Sequence, residues 1–305
     1  MGVLALVACS SASSGSGSGS GGAGGGISFG GSGGSSAGGS AAGGSGGMVL
    51  TGGSGGGTSA ACSAESQFVY VLDSGANLYK FDPPQLSFAP IGMLNCPAGG
   101  TPFSMAVDRN ANAWVVYTNG SLFKVDTKTA GCTPTLFKPG QAGFVTFGMG
   151  FSTDGPGSAK DTLFVSQIDL LGGTTGLGVI DTQSLVLTPV GMYDQLDARA
   201  ELTGTGDGKL FGAFEGNPWV VAQIDKSNAK ILSQAQQTQI TSSPGGSNFA
   251  FAFWGGSFWL FIGPGTSTDV YQYDPAAKST VKKKTESFAI VGAGVSTCAP
   301  IKPPA

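Results

Sequence analysis

The chain has 305 residues, 11% of them charged and 10% aromatic, with a net charge of −3 and no histidine. Nucleic-acid binding calls for clustered Lys and Arg, which this composition does not supply. The missing histidine excludes a Ser-His-Asp triad and removes the commonest zinc ligand, and no apolar run reaches the roughly 18 residues that a bilayer span needs.

The chain opens on a short apolar stretch, Val3-Leu4-Ala5-Leu6-Val7-Ala8-Cys9. Leu6, aliphatic Val7, small Ala8 and then Cys9 resemble the lipobox that ends a bacterial lipoprotein signal peptide. In that family a peptidase cuts before the cysteine, whose sulfur carries diacylglycerol and whose amine is acylated. The resemblance covers residues 3–10. It implies export and lipid anchoring through Cys9 to the cell envelope, at the outer membrane, with the membrane met through that anchor alone. Residues 1–8 hold no Lys or Arg and are shorter than a signal peptide's basic start plus apolar core, so the true translation start is expected upstream.

Residues 10–61 are almost entirely Gly, Ser, Ala and Thr, without one charge. Such a segment buries too little apolar surface to offset chain entropy and is expected to stay disordered. As a Gly/Ser coil its root-mean-square reach is roughly 40 Å. Residues 62–298 remain for one folded domain, with 299–305 as a tail.

Within that domain one phrase recurs: Leu78-Tyr79-Lys80-Phe81-Asp82, Leu122 to Asp126, Leu177 to Asp181, Val221 to Asp225 and Val270 to Asp274. The closing aspartates stand 44, 55, 44 and 49 residues apart. Short alternating strands repeating every 40 to 50 residues mark the blades of a β-propeller. The aspartates end a third strand before Pro, Thr or Lys, where they accept turn amides.

Blade two reads most clearly: Phe103 to Asp108, then Ala113 to Tyr117, an Asn119-Gly120 hairpin of type I′, Leu122 to Asp126, and a fourth strand near Thr133 to Phe137. Its run Val107-Asp108-Arg109-Asn110-Ala111-Asn112-Ala113-Trp114-Val115 resembles the Asp-x-x-Gly-Asn-x-Trp-Val phrase of NHL-type and lactonase-type propellers. The likeness covers one blade, lacks the glycine, and implies the fold without transferring an active site. Ser152-Thr153-Asp154-Gly155 begins like the Asp-box of sialidase-type propellers, but the aromatic does not follow in register.

Blades three to five follow the same plan, blade three with an insertion at Thr153 to Lys160. The first blade, opening at Phe68 to Asp73, is one strand short, and Phe288 to Gly292 at the far end is the missing piece. The fold class is therefore all-β, a five-bladed propeller whose C-terminal strand completes the first blade. The innermost strands alternate large with small, and Ser104, Ala106, Gly148, Gly150, Ala250 and Ala252 are expected to line a narrow channel. Lys282-Lys283-Lys284 reads as a solvated outer edge strand.

Besides Cys9 there are four cysteines, and three pairings are open to them. Cys62 precedes the second strand of blade one and Cys298 follows the strand that completes it. Cys96 leaves the outer strand of blade one and Cys132 enters that of blade two. This map selects Cys62–Cys298 and Cys96–Cys132, disulfides of an oxidising compartment.

Propeller ligands bind where inner strands and their loops converge. The candidate binding residues there are Asp108, Arg109, Asp154, Arg199, Glu201 and Asp207, which include the chain's only two arginines. No catalytic residue, metal ligand or cofactor is assigned. Two classes stay open: a lipid-anchored module that binds a glycan or protein ligand, and a glycoside-cleaving enzyme. The second needs two carboxylates about 5–10 Å apart, drawn from Asp108, Asp154, Glu201 and Asp207.

Overall fold

The computed structural model describes residues 62–168, 176–241 and 248–304. Cys9 and the Gly/Ser-rich stretch at 10–61 lie outside the described residues. Among the described residues, twenty strands form five antiparallel four-stranded sheets, the blades of a β-propeller. Blade one runs β20 (Ile290–Val295), β1 (Val69–Asp73), β2 (Asn77–Asp82) and β3 (Ser87–Met93). Blade two is β4 (Pro102–Val107), β5 (Asn112–Tyr117), β6 (Leu122–Asp126) and β7 (Cys132–Pro134); blade three is β8 (Thr146–Thr153), β9 (Asp161–Ile168), β10 (Gly176–Ile180) and β11 (Leu187–Met192). Blade four is β12 (Ala200–Gly204), β13 (Leu210–Phe214), β14 (Trp219–Ile224) and β15 (Ile231–Gln237); blade five is β16 (Asn248–Trp254), β17 (Ser257–Gly263), β18 (Thr268–Asp274) and β19 (Ser279–Glu286).

The ring closes as the split first blade requires: Val69 pairs with Val295, Val71 with Ala293 and Asp73 with Ile290. The closing strand begins two residues later than Phe288, because Phe288 turns aside to stack on Tyr79 at 4.9 Å and to accept the Thr268 hydroxyl on its carbonyl at 2.9 Å. The fourth strand of blade two ends at Pro134, which has no N–H to extend the ladder, and the expected end, Phe137, instead buries its ring against Phe147 at 6.0 Å.

The recurring aspartates accept turn amides in all five blades: Asp82 from Gln85 at 3.1 Å, Asp126 from Lys128 at 2.8 Å, Asp181 from Ser184 at 2.7 Å, Asp225 from Ser227 at 2.9 Å and Asp274 from Ala276 at 2.8 Å. The fourth residue after each aspartate is left-handed and is never glycine: Leu86 (φ 52°), Ala130 (58°), Leu185 (60°), Ala229 (67°) and Lys278 (51°). Leu86, Ala130, Leu185 and Ala229 each pack into an apolar core. Their burial offsets a left-handed conformation that costs about 1–2 kcal/mol.

Two turns of blade two correct the sequence reading. At Asn119-Gly120 only Gly120 has positive φ, 79°, so the hairpin is not type I′. Asn119 instead donates its side-chain amide to the Ala98 carbonyl and accepts Ser121 N–H at 3.1 Å. In the Asp108 turn, the place of the missing glycine is held by Ala111 at φ 58°.

Five apolar cores fill the ring, one between each pair of neighbouring blades. Each blade turns both faces to its neighbours, so the large-small alternation of an inner strand divides two blade interfaces. It does not separate core from channel. On β8, Phe147, Met149 and Phe151 face blade two, while a Cβ on Gly148 would lie 2.0 Å from the Ala200 carbonyl oxygen of blade four. The residues expected to line a narrow channel are buried, Ser104 and Ala252 completely. Glycine and alanine there bring adjacent inner strands into backbone contact.

Both expected disulfides form: Cys62–Cys298 with a Cα–Cα distance of 5.9 Å, and Cys96–Cys132 at 5.3 Å beside the core between blades one and two. In the basic edge strand Lys282 pairs with Asp269 at 2.8 Å and Lys284 with Glu286 at 2.6 Å.

Candidate functional site

Because strands alternate in direction, every turn from first to second strand lies at one mouth of the ring, and every entry to a first strand at the other. Asp108, Arg109, Asp154 and Asp207 follow the ends of β4, β8 and β12 and belong to the first mouth. Arg199 precedes β12 and Glu201 is its second residue, so both belong to the opposite mouth.

The first mouth is crossed by the chain's own C-terminal segment. The Thr297 hydroxyl donates to Asp161 Oδ2 at 2.6 Å, and Gly255 N–H donates to the Pro300 carbonyl at 2.8 Å. Arg109 donates from Nε to Asp161 Oδ1 at 2.9 Å and from Nη2 to Thr153 Oγ1 and the Ser158 carbonyl, each at 3.0 Å. Lys226 Nζ adds a 2.6 Å bond to the Thr153 carbonyl. Asp108 accepts the amides of Asn110 and Asn112, both at 2.9 Å, and the Trp114 indole N–H at 3.3 Å. Asp154 accepts the Thr162 hydroxyl at 2.7 Å, and Asp207 accepts Lys209 Nζ at 2.7 Å and the Thr205 hydroxyl. All four expected binding residues at this mouth are engaged in ties within the protein.

The second mouth holds a cavity of about 300 Å³, lined by Ser74 and Val291 of blade one, Thr101, Pro102, Phe103 and Thr118 of blade two, Arg199 and Glu201 of blade four, and Asn248 and Phe249 of blade five. The second residue of each inner strand reaches this level. Four blades place Phe103, Phe147, Phe249 and Val291 there, and the fifth places Glu201. Glu201 is 2% exposed and its Oε2 accepts the Ser104 hydroxyl at 2.6 Å across the ring. Burial pushes its pKa well above the usual carboxylate range, although Ser104, the Met149 N–H and the Arg199 charge all pull it down.

Arg199 donates Nε–H to Glu215 Oε2 at 2.6 Å and a second N–H, from Nη2, to the same oxygen. The Glu215 side chain is 7% exposed and that of Arg199 22%, so a buried carboxylate holds a guanidinium that still reaches the cavity. The Phe249 ring lies 5.7 Å from its Cζ. Of the six expected residues, this mouth gathers Arg199 and Glu201. Glu215 and the rim aromatics Phe103 and Phe249 were missed, and the second-residue position of the inner strands is the signal that finds the two phenylalanines. Among the described residues, no group of three or more His, Cys, Asp or Glu could hold a metal ion.

No protein-family model and no curated protein sequence matches this chain. Among solved structures it is similar to the Dos1 propeller, at 14% identity over 72% of this chain and 56% of that one, with a TM-score of 0.40. TolB from Acinetobacter baumannii is 16% identical over 70% and 52% of the two chains, TM-score 0.42. A luciferin-regenerating enzyme is 13% identical over 72% and 74%, TM-score 0.43. The chain spans about half the length of the Dos1 propeller and of TolB. Neither ligand nor activity passes from such distant structures, and the fold rests on the strand pairing itself.

Proposed function

We propose that this protein is an exported, lipid-anchored binding module that captures a glycan or protein ligand at the second mouth of its propeller. One observation carries the reading: one mouth is tied shut by the chain's own tail, while the other keeps a cavity with a fixed guanidinium, a carboxyl and aromatic walls. The two disulfides fit an oxidising compartment, in agreement with the Leu6-Val7-Ala8-Cys9 lipobox. A glycosidase that pairs Glu201 with Asp108, Asp154 or Asp207 loses support, because Glu201 is at one mouth and the three aspartates are at the other.

The test is to probe glycan and peptide arrays with the purified full chain, then to assay each hit for turnover. Binding without cleavage, lost in Phe249→Ala, supports the module. A glycan that is cleaved by the protein and spared by Glu201→Gln favours the enzyme.

A further inference from the structure

We infer that the cavity at the second mouth takes a small carboxylate ligand with an apolar body, its acid group held between Arg199 and Glu201. This inference rests on the second mouth being a binding site, as proposed above, and goes beyond the glycan or protein ligand named there. The cavity, at about 300 Å³, stands at the small end of ligand sites and suits a compact molecule. Its walls include Pro102, Phe103, Phe249 and Val291, which favour an apolar body.

The polar groups are biased toward donors. A guanidinium has five N–H donors, and Arg199 commits two of them to Glu215 Oε2, which leaves three. Glu201 already accepts hydrogen bonds from Ser104 and Met149, and burial favours its neutral form, which carries an O–H donor. Asn248 commits its side-chain amide to the Gly265 carbonyl at 2.8 Å. The charged group open to a ligand is thus a donor, and a carboxylate supplies two oxygens that match a guanidinium edge. An ammonium ligand would meet the Arg199 charge with no ionised, unpaired carboxylate to offset it.

The test uses three probes of one shape, benzoate, benzamide and benzylamine, titrated against the full chain by ligand-observed NMR at neutral pH. Benzoate should bind about tenfold or more tightly than benzamide, the scale of charge-assisted hydrogen bonds, and benzylamine should not bind. The double variant Arg199→Gln/Glu215→Gln removes the guanidinium without stranding a buried carboxylate, and it should lose the benzoate preference while keeping its thermal unfolding transition. Glu201→Gln keeps a neutral donor and should retain it. Benzylamine binding as well as benzoate, or benzoate bound equally by the double variant, overturns the inference. Benzamide bound as tightly as benzoate, and lost in Phe249→Ala, overturns it while leaving the cavity as a binding site. Binding of none of the three overturns the inference, and the binding reading is then decided by the arrays alone.

Discussion

Ser104 and Glu201, 97 residues apart, meet through a 2.6 Å hydrogen bond that joins the inner strands of blades two and four across blade three. The contact buries a carboxyl in the middle of an apolar ring, and its protonation becomes part of the folding equilibrium.

Burial raises the Glu201 pKa in the folded state above its ordinary unfolded value of roughly 4.3. Between those two values the folded chain binds more protons than the unfolded one, so the contribution is full below the unfolded pKa and is lost as pH rises toward the folded one. Glu201→Gln should unfold at a higher temperature than wild type at pH 7, with each kcal/mol regained worth roughly 2–4 °C, and the gain should vanish near pH 4. Thermal unfolding of both proteins across that range checks it; a gain independent of pH would refute the assignment.

Gly148→Ala should be severely destabilising, because the new Cβ would sit 2.0 Å from the Ala200 carbonyl oxygen on the neighbouring inner strand. Overpacking of this kind costs about 1–3 kcal/mol or more. Gly155→Ala, which meets nothing within 4 Å, is the matched control and should be near neutral. Urea unfolding of the pair separates the two outcomes.

The left-handed turn positions divide by burial. Lys278 is exposed at φ 51°, and Lys278→Gly should be neutral or stabilising by up to about 1 kcal/mol, the strain relief less glycine's unfolded-state entropy. Leu185 packs into the core between blades two and three, so Leu185→Gly should cost roughly 1–3 kcal/mol despite the same relief. Equal effects at both sites in chemical unfolding would show that packing does not offset the strain.

The two disulfides close loops of very different length, with sequence separations of 236 and 36. By the chain-entropy account, Cys62→Ser/Cys298→Ser should cost about 1.7 kcal/mol more than Cys96→Ser/Cys132→Ser. Denaturant midpoints of the two double variants test the order.

The proposed lipid anchoring rests on Cys9. Expressed from its natural start in its native host, the full chain should label with palmitate and partition into detergent, and Cys9→Ser should abolish both. Two or three acyl chains would hold it stably where one would not. Unlabelled, soluble wild-type protein would show the lipobox resemblance to be accidental.

What was legible in the sequence was local. Each blade announces itself by an aspartate whose side chain caps the turn that follows, and the cysteines pair because the blade map puts their strand ends together. The left-handed position four residues after each aspartate was not legible, since Leu, Ala, Leu, Ala and Lys share no side-chain chemistry and meet only in backbone conformation. Ser104 and Glu201 belong to different repeats, and no periodicity links them. The split of the candidate residues between two mouths could have been read from chain direction alone: Arg199 and Glu201 enter an inner strand, whereas Asp108, Arg109, Asp154 and Asp207 leave one.

The bond between Cys62 and Cys298 also decides how the ring carries mechanical load. It joins the residue that leads into the first blade to the residue that follows the last strand. Tension between the two ends of the domain passes through that covalent link and bypasses the hydrogen-bonded ladder of β20 on β1. The seam of the propeller is shielded from that tension while the staple is oxidised.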